Sequence, residues 1–126
     1  MIQQKNTYQF LDDLESALIW LYLRASQDGK NPEKYEDEFK IEFLSLLKRI
    51  MENPLLYPTY SDVNPVRRAV FYHGNYILEY HLIPFQVKTK NEVKEVTFSA
   101  LLPAKSGKYS GAHEELIFYE FDLEED

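Results

Sequence analysis

The sequence predicts an α+β domain in which an N-terminal antiparallel helical hairpin packs on one face of an antiparallel β-sheet. The first observation is a change of hydrophobic period, from helical spacing before Pro54 to strand alternation after Pro65. The second is the order of the elements, because helices followed by a run of strands is an α+β layout. The third is the composition. A chain of 126 residues with 44% hydrophobic and 15% aromatic residues can bury the core of a single domain.

Two amphipathic helices account for the first half of the chain. The first is predicted over residues 7–28, with apolar side chains at helical spacing: Phe10, Leu11, Leu14, Leu18, Leu21, Tyr22 and Ala25. Asp28-Gly29 ends it. Asn31-Pro32 begins the second helix, with asparagine as the N-cap and proline at the first helical position. Pro54 ends the second helix, so a short loop joins two helices of about 20 residues each.

Three strands are predicted in the second half, over residues 66–72, 76–83 and 93–102, with a weaker candidate over 116–123. A turn at residues 73–75 joins the first two. Alternation assigns one set of side chains to the core face: Tyr76, Leu78, Tyr80, Leu82, Val96, Phe98, Ala100 and Leu102. The opposite face carries Glu79 and His81, and we expect it to be open to solvent.

Charge is unevenly distributed along the chain, although the total is −7. Residues 1–62 hold 7 basic and 11 acidic side chains, a net of −4, and residues 63–108 hold 7 basic and 3 acidic, a net of +4. Residues 109–126 hold 7 acidic side chains and no basic one. We therefore predict one domain over residues 1–126, with 109–126 as an acidic C-terminal extension. Such asymmetry indicates an anionic partner for the basic middle more clearly than the total charge does.

Several kinds of site are excluded or disfavoured by composition. The chain has no cysteine, which excludes disulfides, thiolate metal sites and a cysteine nucleophile. Its three histidines lie at no metal-ligand spacing, and it has no glycine-rich phosphate loop and no nucleophile elbow. We predict neither a metal nor a cofactor. The N-terminus lacks a signal-peptide pattern and no apolar run is long enough to span a membrane, so we expect a cytoplasmic protein with no membrane partner.

One stretch carries a family resemblance. The second helix ends at Asn53-Pro54, a loop follows, and Arg67-Arg68 then precedes the strand Tyr76-Ile-Leu-Glu-Tyr80. Over about residues 7–102 this arrangement resembles the RelE/ParE superfamily of bacterial toxins from toxin–antitoxin pairs. The resemblance implies a helix pair on an antiparallel sheet and a cognate antitoxin as partner. It also implies one of two activities: metal-independent cleavage of mRNA in the ribosome, or inhibition of DNA gyrase without a nuclease site.

Five residues are candidates for a site of this kind. Arg67 and Arg68 match the arginine position of the nuclease branch, where a guanidinium can bind phosphate oxygens bidentately. Alternation places the two on opposite faces of the strand. His81 has suitable chemistry for proton transfer near neutral pH. Lys105 and Lys108 flank Ser106-Gly107 and could contact an RNA phosphate, or could belong to a basic loop.

Other interpretations stay open. The last predicted core strand is followed by Pro103-Ala104-Lys105, without the histidine, arginine or tyrosine with which nuclease members of the family usually end that strand. The arginines could equally be solvated or antitoxin-facing charges. A catalytically silent protein-interaction module that kept the toxin fold is therefore the alternative function.

The acidic extension carries one more prediction. It contains the apolar residues Leu116, Phe118, Phe121 and Leu123 among its 7 acidic side chains. An acidic segment with apolar anchors resembles what a RelE/ParE-like toxin receives from its antitoxin. We predict that it folds back on the sheet and partly neutralises a basic corner at Arg67, Arg68 and Lys105. The alternative is a frayed, solvated terminus.

Overall fold

The computed structural model describes residues 1–61 and 63–104, in which a helical hairpin packs on a four-stranded sheet. The predicted α+β class is confirmed. In chain order the elements are β1 (Gln3–Asn6), α1 (Tyr8–Gln27), α2 (Pro32–Glu52), β2 (Arg67–Phe71), β3 (Tyr76–Ile83), a short 3₁₀ turn (Lys90–Glu92) and β4 (Glu95–Pro103). The strands lie in the order β1-β4-β3-β2. Neither helix is long and apolar enough to cross a bilayer within these described ranges.

Helix α2 begins where its predicted capping residues place it. Asn31 accepts hydrogen bonds from the backbone N–H groups of Glu33 and Lys34, and Pro32 occupies the first helical position. At the start of α1, the Thr7 hydroxyl accepts from the Phe10 N–H at 3.0 Å and donates to the Ser99 carbonyl at 3.1 Å. One side chain therefore caps the helix and ties its first turn to β4.

The β2–β3–β4 meander is antiparallel, as predicted. β1 was not predicted. It pairs in parallel with the edge of β4, from Gln3 opposite Glu95 to Asn6 opposite Phe98. Its four residues are polar and exposed, so they carry no alternating apolar pattern that could have indicated a strand. A polar edge strand of this length also limits pairing with other chains.

Aromatic rings fill the space between the helices and the sheet. Phe39 of α2 lies 5.2–5.9 Å, centroid to centroid, from the rings of Phe43, Phe71, Tyr72 and Tyr76. On the other side of this layer, Phe10 of α1 lies 5.8 Å from Phe98 of β4. Both helices thus pack against the same sheet face, which we call the helix-covered face. The opposite side is called the second face.

A β-bulge changes which side chains of β4 reach the core. Tyr80 pairs with Phe98 but Glu79 pairs with Ala100, so Ser99 is the extra residue. Because one extra residue reverses the alternation, Leu101 joins the main core while Ala100 and Leu102 lie on the second face. The assignment of Ala100 and Leu102 to the core face was therefore wrong, whereas that of Tyr76, Leu78, Tyr80 and Leu82 was correct.

Part of the second face is buried, contrary to the prediction that it is open to solvent. Ile77 is 5% exposed, Leu102 6% and Glu79 1%. Val70, on β2 beside Ile77, is by contrast 58% exposed. The second face is therefore buried around Ile77, Glu79 and Leu102 and accessible at Val70 of β2.

Candidate functional site

Arg67 lies on the helix-covered face, opposite Tyr80 of β3. Its Nη1 atom donates to the Tyr57 carbonyl at 2.6 Å, and the residue is 9% exposed. The Tyr80 hydroxyl donates to the Pro54 carbonyl at 3.0 Å, and burial raises the pKa of Tyr80 to about 12. Both side chains thus hold the loop that follows α2 against the sheet. In this conformation Nη1 of Arg67 bonds to the protein's own backbone, while its Nε is buried without a hydrogen-bond partner among the described residues.

Arg68 lies on the second face, opposite Glu79 of β3. Its Nε donates to the Glu79 Oε2 at 2.7 Å, in a pair whose side chains are 16% and 1% exposed. The guanidinium carbon also lies 3.9 Å from the centroid of the Tyr60 ring. A guanidinium at that distance from an aromatic face makes a cation–π contact. Arg68 is therefore enclosed by a carboxylate on the sheet and an aromatic ring from the preceding loop.

Glu79 is a buried carboxyl group with one oxygen in an ion pair. Its Oε1 has no hydrogen-bond partner among the described residues. Burial raises the pKa of Glu79 above its ordinary value, and the charge of Arg68 lowers it in part. A carboxyl group in such surroundings binds a proton more readily than an exposed one.

His81 follows Glu79 on the same face and lies opposite Thr97 of β4. Its ring meets the Phe85 ring edge-on at 5.6 Å, and burial lowers the pKa of His81, with a smaller opposing effect from Glu95. Glu95 itself accepts from the Thr97 hydroxyl at 2.7 Å and lies 3.3 Å from the Lys5 ammonium. The imidazole is therefore biased toward its neutral form, in which one ring nitrogen can accept a proton.

The structure brings together Arg68, Glu79 and His81 on the second face and separates them from Arg67. This separation agrees with the predicted placement of the two arginines on opposite faces. Lys105 and Lys108 lie outside the described residues. No described contact tests a catalytic role for Arg67, Arg68 or His81, so those roles stay predictions.

Glu79 and Tyr60 were not among the candidate site residues. The predicted turn at residues 73–75 would pair Tyr72 with Tyr76 and place Arg68 opposite Tyr80. That register was wrong: Tyr72 and His73 both have positive φ, so the turn begins one residue earlier, Phe71 pairs with Tyr76, and Arg68 lies opposite Glu79. No signal in the sequence indicated Tyr60. It reaches Arg68 because the Tyr60 N–H donates to the Val66 carbonyl at 2.7 Å and Thr59 bridges to Arg67, which folds the loop beside β2.

A different kind of surface lies on the outside of α1. The large apolar side chains that point away from the core there are each at least 42% exposed: Tyr8, Leu11, Ile19, Trp20, Tyr22 and Leu23. We call this set the outer face of α1. Apolar side chains concentrated on one solvent-exposed helix are typical of a protein-binding surface. Leu11 and Tyr22 belong to the apolar pattern that predicts the helix, but the side chains buried in the core are those of Phe10, Ala17, Leu21 and Ala25.

Within residues 1–61 and 63–104, no group of three or more histidine, aspartate or glutamate side chains is placed to hold a metal ion. A comparison with models of known protein families gives no match, and a search of curated proteins gives none either.

Proposed function

We propose that this protein is a RelE/ParE-like toxin component of a bacterial toxin–antitoxin pair that acts by binding a replication protein such as DNA gyrase. The resemblance over residues 7–102 supports this proposal, because Arg67-Arg68 precedes a Tyr-x-aliphatic-x-Tyr strand. A helical hairpin on one face of an antiparallel meander is also the architecture that the resemblance implies.

The choice between the two toxin activities depends on one observation: each arginine side chain already bonds to a partner within the protein. A nuclease must hold a preorganised cation beside the phosphate oxygens on which negative charge develops in the transition state. Arg67 donates to the Tyr57 carbonyl, and Arg68 is paired with buried Glu79. To reach RNA, Arg67 would have to leave a backbone carbonyl and Arg68 would have to leave a buried carboxylate. This favours inhibition by protein contact over ribosome-dependent mRNA cleavage.

The outer face of α1 supports a protein partner. Under this proposal the partner that covers it is the cognate antitoxin. The same observation also favours the alternative function, a catalytically silent protein-interaction module, because an apolar helix surface serves any protein-binding role. The two functions differ in whether the free protein arrests growth.

Induced expression in a bacterial host, with pulse-labelling of protein and DNA synthesis, separates the possibilities. The proposal predicts that DNA synthesis stops first and that ribosome-bound mRNA stays intact in primer-extension assays. Arrest of translation with cleaved mRNA would overturn the proposed mechanism in favour of the nuclease activity. Growth without arrest would favour the interaction module.

A matched pair of variants tests the outer face of α1. Leu23→Glu changes a side chain of this face that is 55% exposed, and Ile41→Glu changes one on α2 that is 69% exposed. We expect Leu23→Glu to weaken binding to the antitoxin at least tenfold and Ile41→Glu to leave it unchanged. Both sites are exposed, so neither substitution should unfold the protein. Equal effects of the two substitutions would contradict the assignment of the surface.

A further inference from the structure

We infer that a pocket between the loop before β2 and the segment after β3 binds an extended peptide through one aromatic side chain of the size of phenylalanine. The pocket encloses about 130 Å³. Phe85 and Gln86 form one wall, and the other wall is formed by loop residues: Thr59, Ser61, Val63, Asn64 and Pro65. This inference goes beyond the proposed function, because it depends neither on toxin activity nor on the outer face of α1.

The volume of the pocket fits a single side chain. Sites for drug-sized ligands and cofactors typically enclose about 300–1,000 Å³. A cavity of about 150 Å³ in a protein interior holds one benzene molecule. The volume of this pocket is close to the second value, so the pocket can hold a phenyl ring but is too small for a cofactor.

The apolar parts of the walls favour an aromatic ring as the occupant. Phe85 is 53% exposed and Val63 is 93% exposed, so the fold leaves apolar surface uncovered on both walls. Two aromatic rings in offset or edge-to-face contact stabilise each other beyond the area that they bury. A ring that enters the pocket can make such a contact with Phe85.

Two carboxamide groups at the pocket are available to a peptide backbone. The Asn64 Oδ1 accepts from the Val66 N–H at 2.9 Å, but no hydrogen bond uses the Asn64 Nδ2 in the part of the chain that the structure describes. The Gln86 side chain makes none there either. A carboxamide offers both a donor and an acceptor, as a backbone amide does. Asn64 and Gln86 can therefore bind the peptide groups next to the inserted ring.

Contacts within the protein hold both walls of the pocket in place. The Ser61 Oγ accepts from the Asn64 N–H at 3.2 Å, and Thr59 forms an antiparallel bridge to β2. On the other wall, the Phe85 ring lies 5.6 Å from the ring of His81 on β3. Because the pocket is formed before a ligand arrives, binding costs less conformational entropy than it would at a mobile site.

The charge of the walls favours a peptide over a nucleic acid. Nucleic-acid binding depends largely on contacts between phosphates and Lys or Arg side chains, and no described lining residue is charged. A free aromatic molecule is also disfavoured, because so small a ligand has few contacts to offset the loss of its translational and rotational freedom. A ring that belongs to a peptide shares that loss with the backbone contacts.

NMR titration of the isotope-labelled full chain tests the inference, with the acetylated and amidated tripeptide glycine–phenylalanine–glycine as the probe. We expect shifts of the amide signals of Thr59, Asn64 and Gln86, and Overhauser effects between the ring protons of the probe and the Val63 methyl groups. The same tripeptide with alanine in place of phenylalanine should bind about tenfold more weakly or less, because it buries no ring.

Three results would overturn the inference. The first is equal binding of the two tripeptides. The second is a set of Overhauser effects from the ring of the probe to the outer face of α1 in place of Val63. The third is tighter binding of adenosine monophosphate than of the probe at the same residues, which would assign the pocket to a nucleotide.

Two variants, each with a matched control, locate the contact. Phe85→Ala removes an aromatic wall and Gln86→Ala removes a carboxamide, so each should weaken binding of the probe about threefold or more. Ile41→Ala and Gln27→Ala change exposed side chains that do not line the pocket and should leave binding unchanged. All four side chains are exposed, so none of these substitutions should unfold the protein. Unchanged binding in Phe85→Ala and Gln86→Ala, or equal losses in the controls, would also overturn the inference.

Discussion

The two faces of this sheet carry different kinds of buried side chain, although the same strands build both. The helix-covered face is filled by aromatic rings, with Phe39 in contact with four others. The second face combines an apolar cluster with a guanidinium–carboxylate pair and an imidazole. Arg67 and Arg68 are adjacent in sequence, and each belongs to a different one of these environments.

The two faces should also differ in how a substitution on each one changes the free energy of unfolding. Apolar burial is non-directional, so a face filled by rings is stabilised by the amount of surface removed from water. A buried ion pair is stabilised only while both partners stay in place, because the loss of either leaves a charge in a medium of low dielectric constant. Substitutions on the two faces should therefore lower the free energy of unfolding by different amounts.

The largest effect is expected on the helix-covered face. Phe39→Ala should lower the free energy of unfolding by about 3–5 kcal/mol, because it removes a fully buried ring from a close-packed cluster. Urea denaturation followed by circular dichroism measures the change. Ile41→Ala, two residues away but on the exposed side of α2, should change the value by no more than about 0.5 kcal/mol. Similar losses for both would mean that Phe39 is not part of the core.

The next effect is expected on the second face, and it has the form of a double-mutant cycle. Arg68→Met or Glu79→Leu alone should lower the free energy of unfolding by about 3 kcal/mol, since each leaves the other charge unpaired. The double variant Arg68→Met/Glu79→Leu should recover most of that loss, because both charges are replaced by apolar groups. Additive losses in the double variant would show that the two side chains do not act as a pair.

A smaller effect is expected for Arg67. Arg67→Met should cost about 1.5–3 kcal/mol, the range for a hydrogen bond from a charged group, because the Tyr57 carbonyl loses its donor. Tyr80→Phe, which removes the hydrogen bond to the Pro54 carbonyl, should cost about 1 kcal/mol. A larger loss for Arg67→Met than for Arg68→Met would reverse the proposed order of the two arginines.

The smallest effect is expected in the pH dependence of stability, to which Glu79 and His81 of the second face contribute in opposite directions. Burial raises the pKa of Glu79, so the folded state binds its proton more tightly than the unfolded state. Its contribution to stability is present at acid pH and is lost as pH rises through the raised pKa. Burial lowers the pKa of His81, so its contribution is present above the ordinary histidine value of 6.5 and is lost as pH falls through the lowered pKa.

Thermal unfolding of the wild type, Glu79→Gln and His81→Gln from acid to neutral pH checks the direction of both pH dependences. Relative to the wild type, His81→Gln should lose less stability between neutral and mildly acid pH. Glu79→Gln should lose less stability as pH rises from the ordinary carboxyl value of 4.5. Parallel curves for all three proteins would contradict the burial of these two groups.

Only part of the candidate site could be predicted from the sequence, because a shift of one residue in the turn changes every cross-strand pair of the hairpin. The turn after Phe71 sets Arg68 opposite Glu79 and Arg67 opposite Tyr80. The contribution of Tyr60 could not be predicted, since it depends on how the loop between α2 and β2 folds against the edge of the sheet. The toxin activity and the antitoxin remain predictions from the resemblance.

The sequence by itself determined the two helices, the start of α2 at Asn31-Pro32, the antiparallel meander and the placement of Arg67 and Arg68 on opposite faces. These features follow from periodicity and capping, which depend on residues a few positions apart. Only the tertiary structure decided the other three features. β1 forms because β4 offers its edge, the bulge at Ser99 turns Ala100 and Leu102 away from the helices, and the second face becomes buried. Each depends on contacts between segments distant in sequence, and such contacts leave no periodic trace in either segment alone.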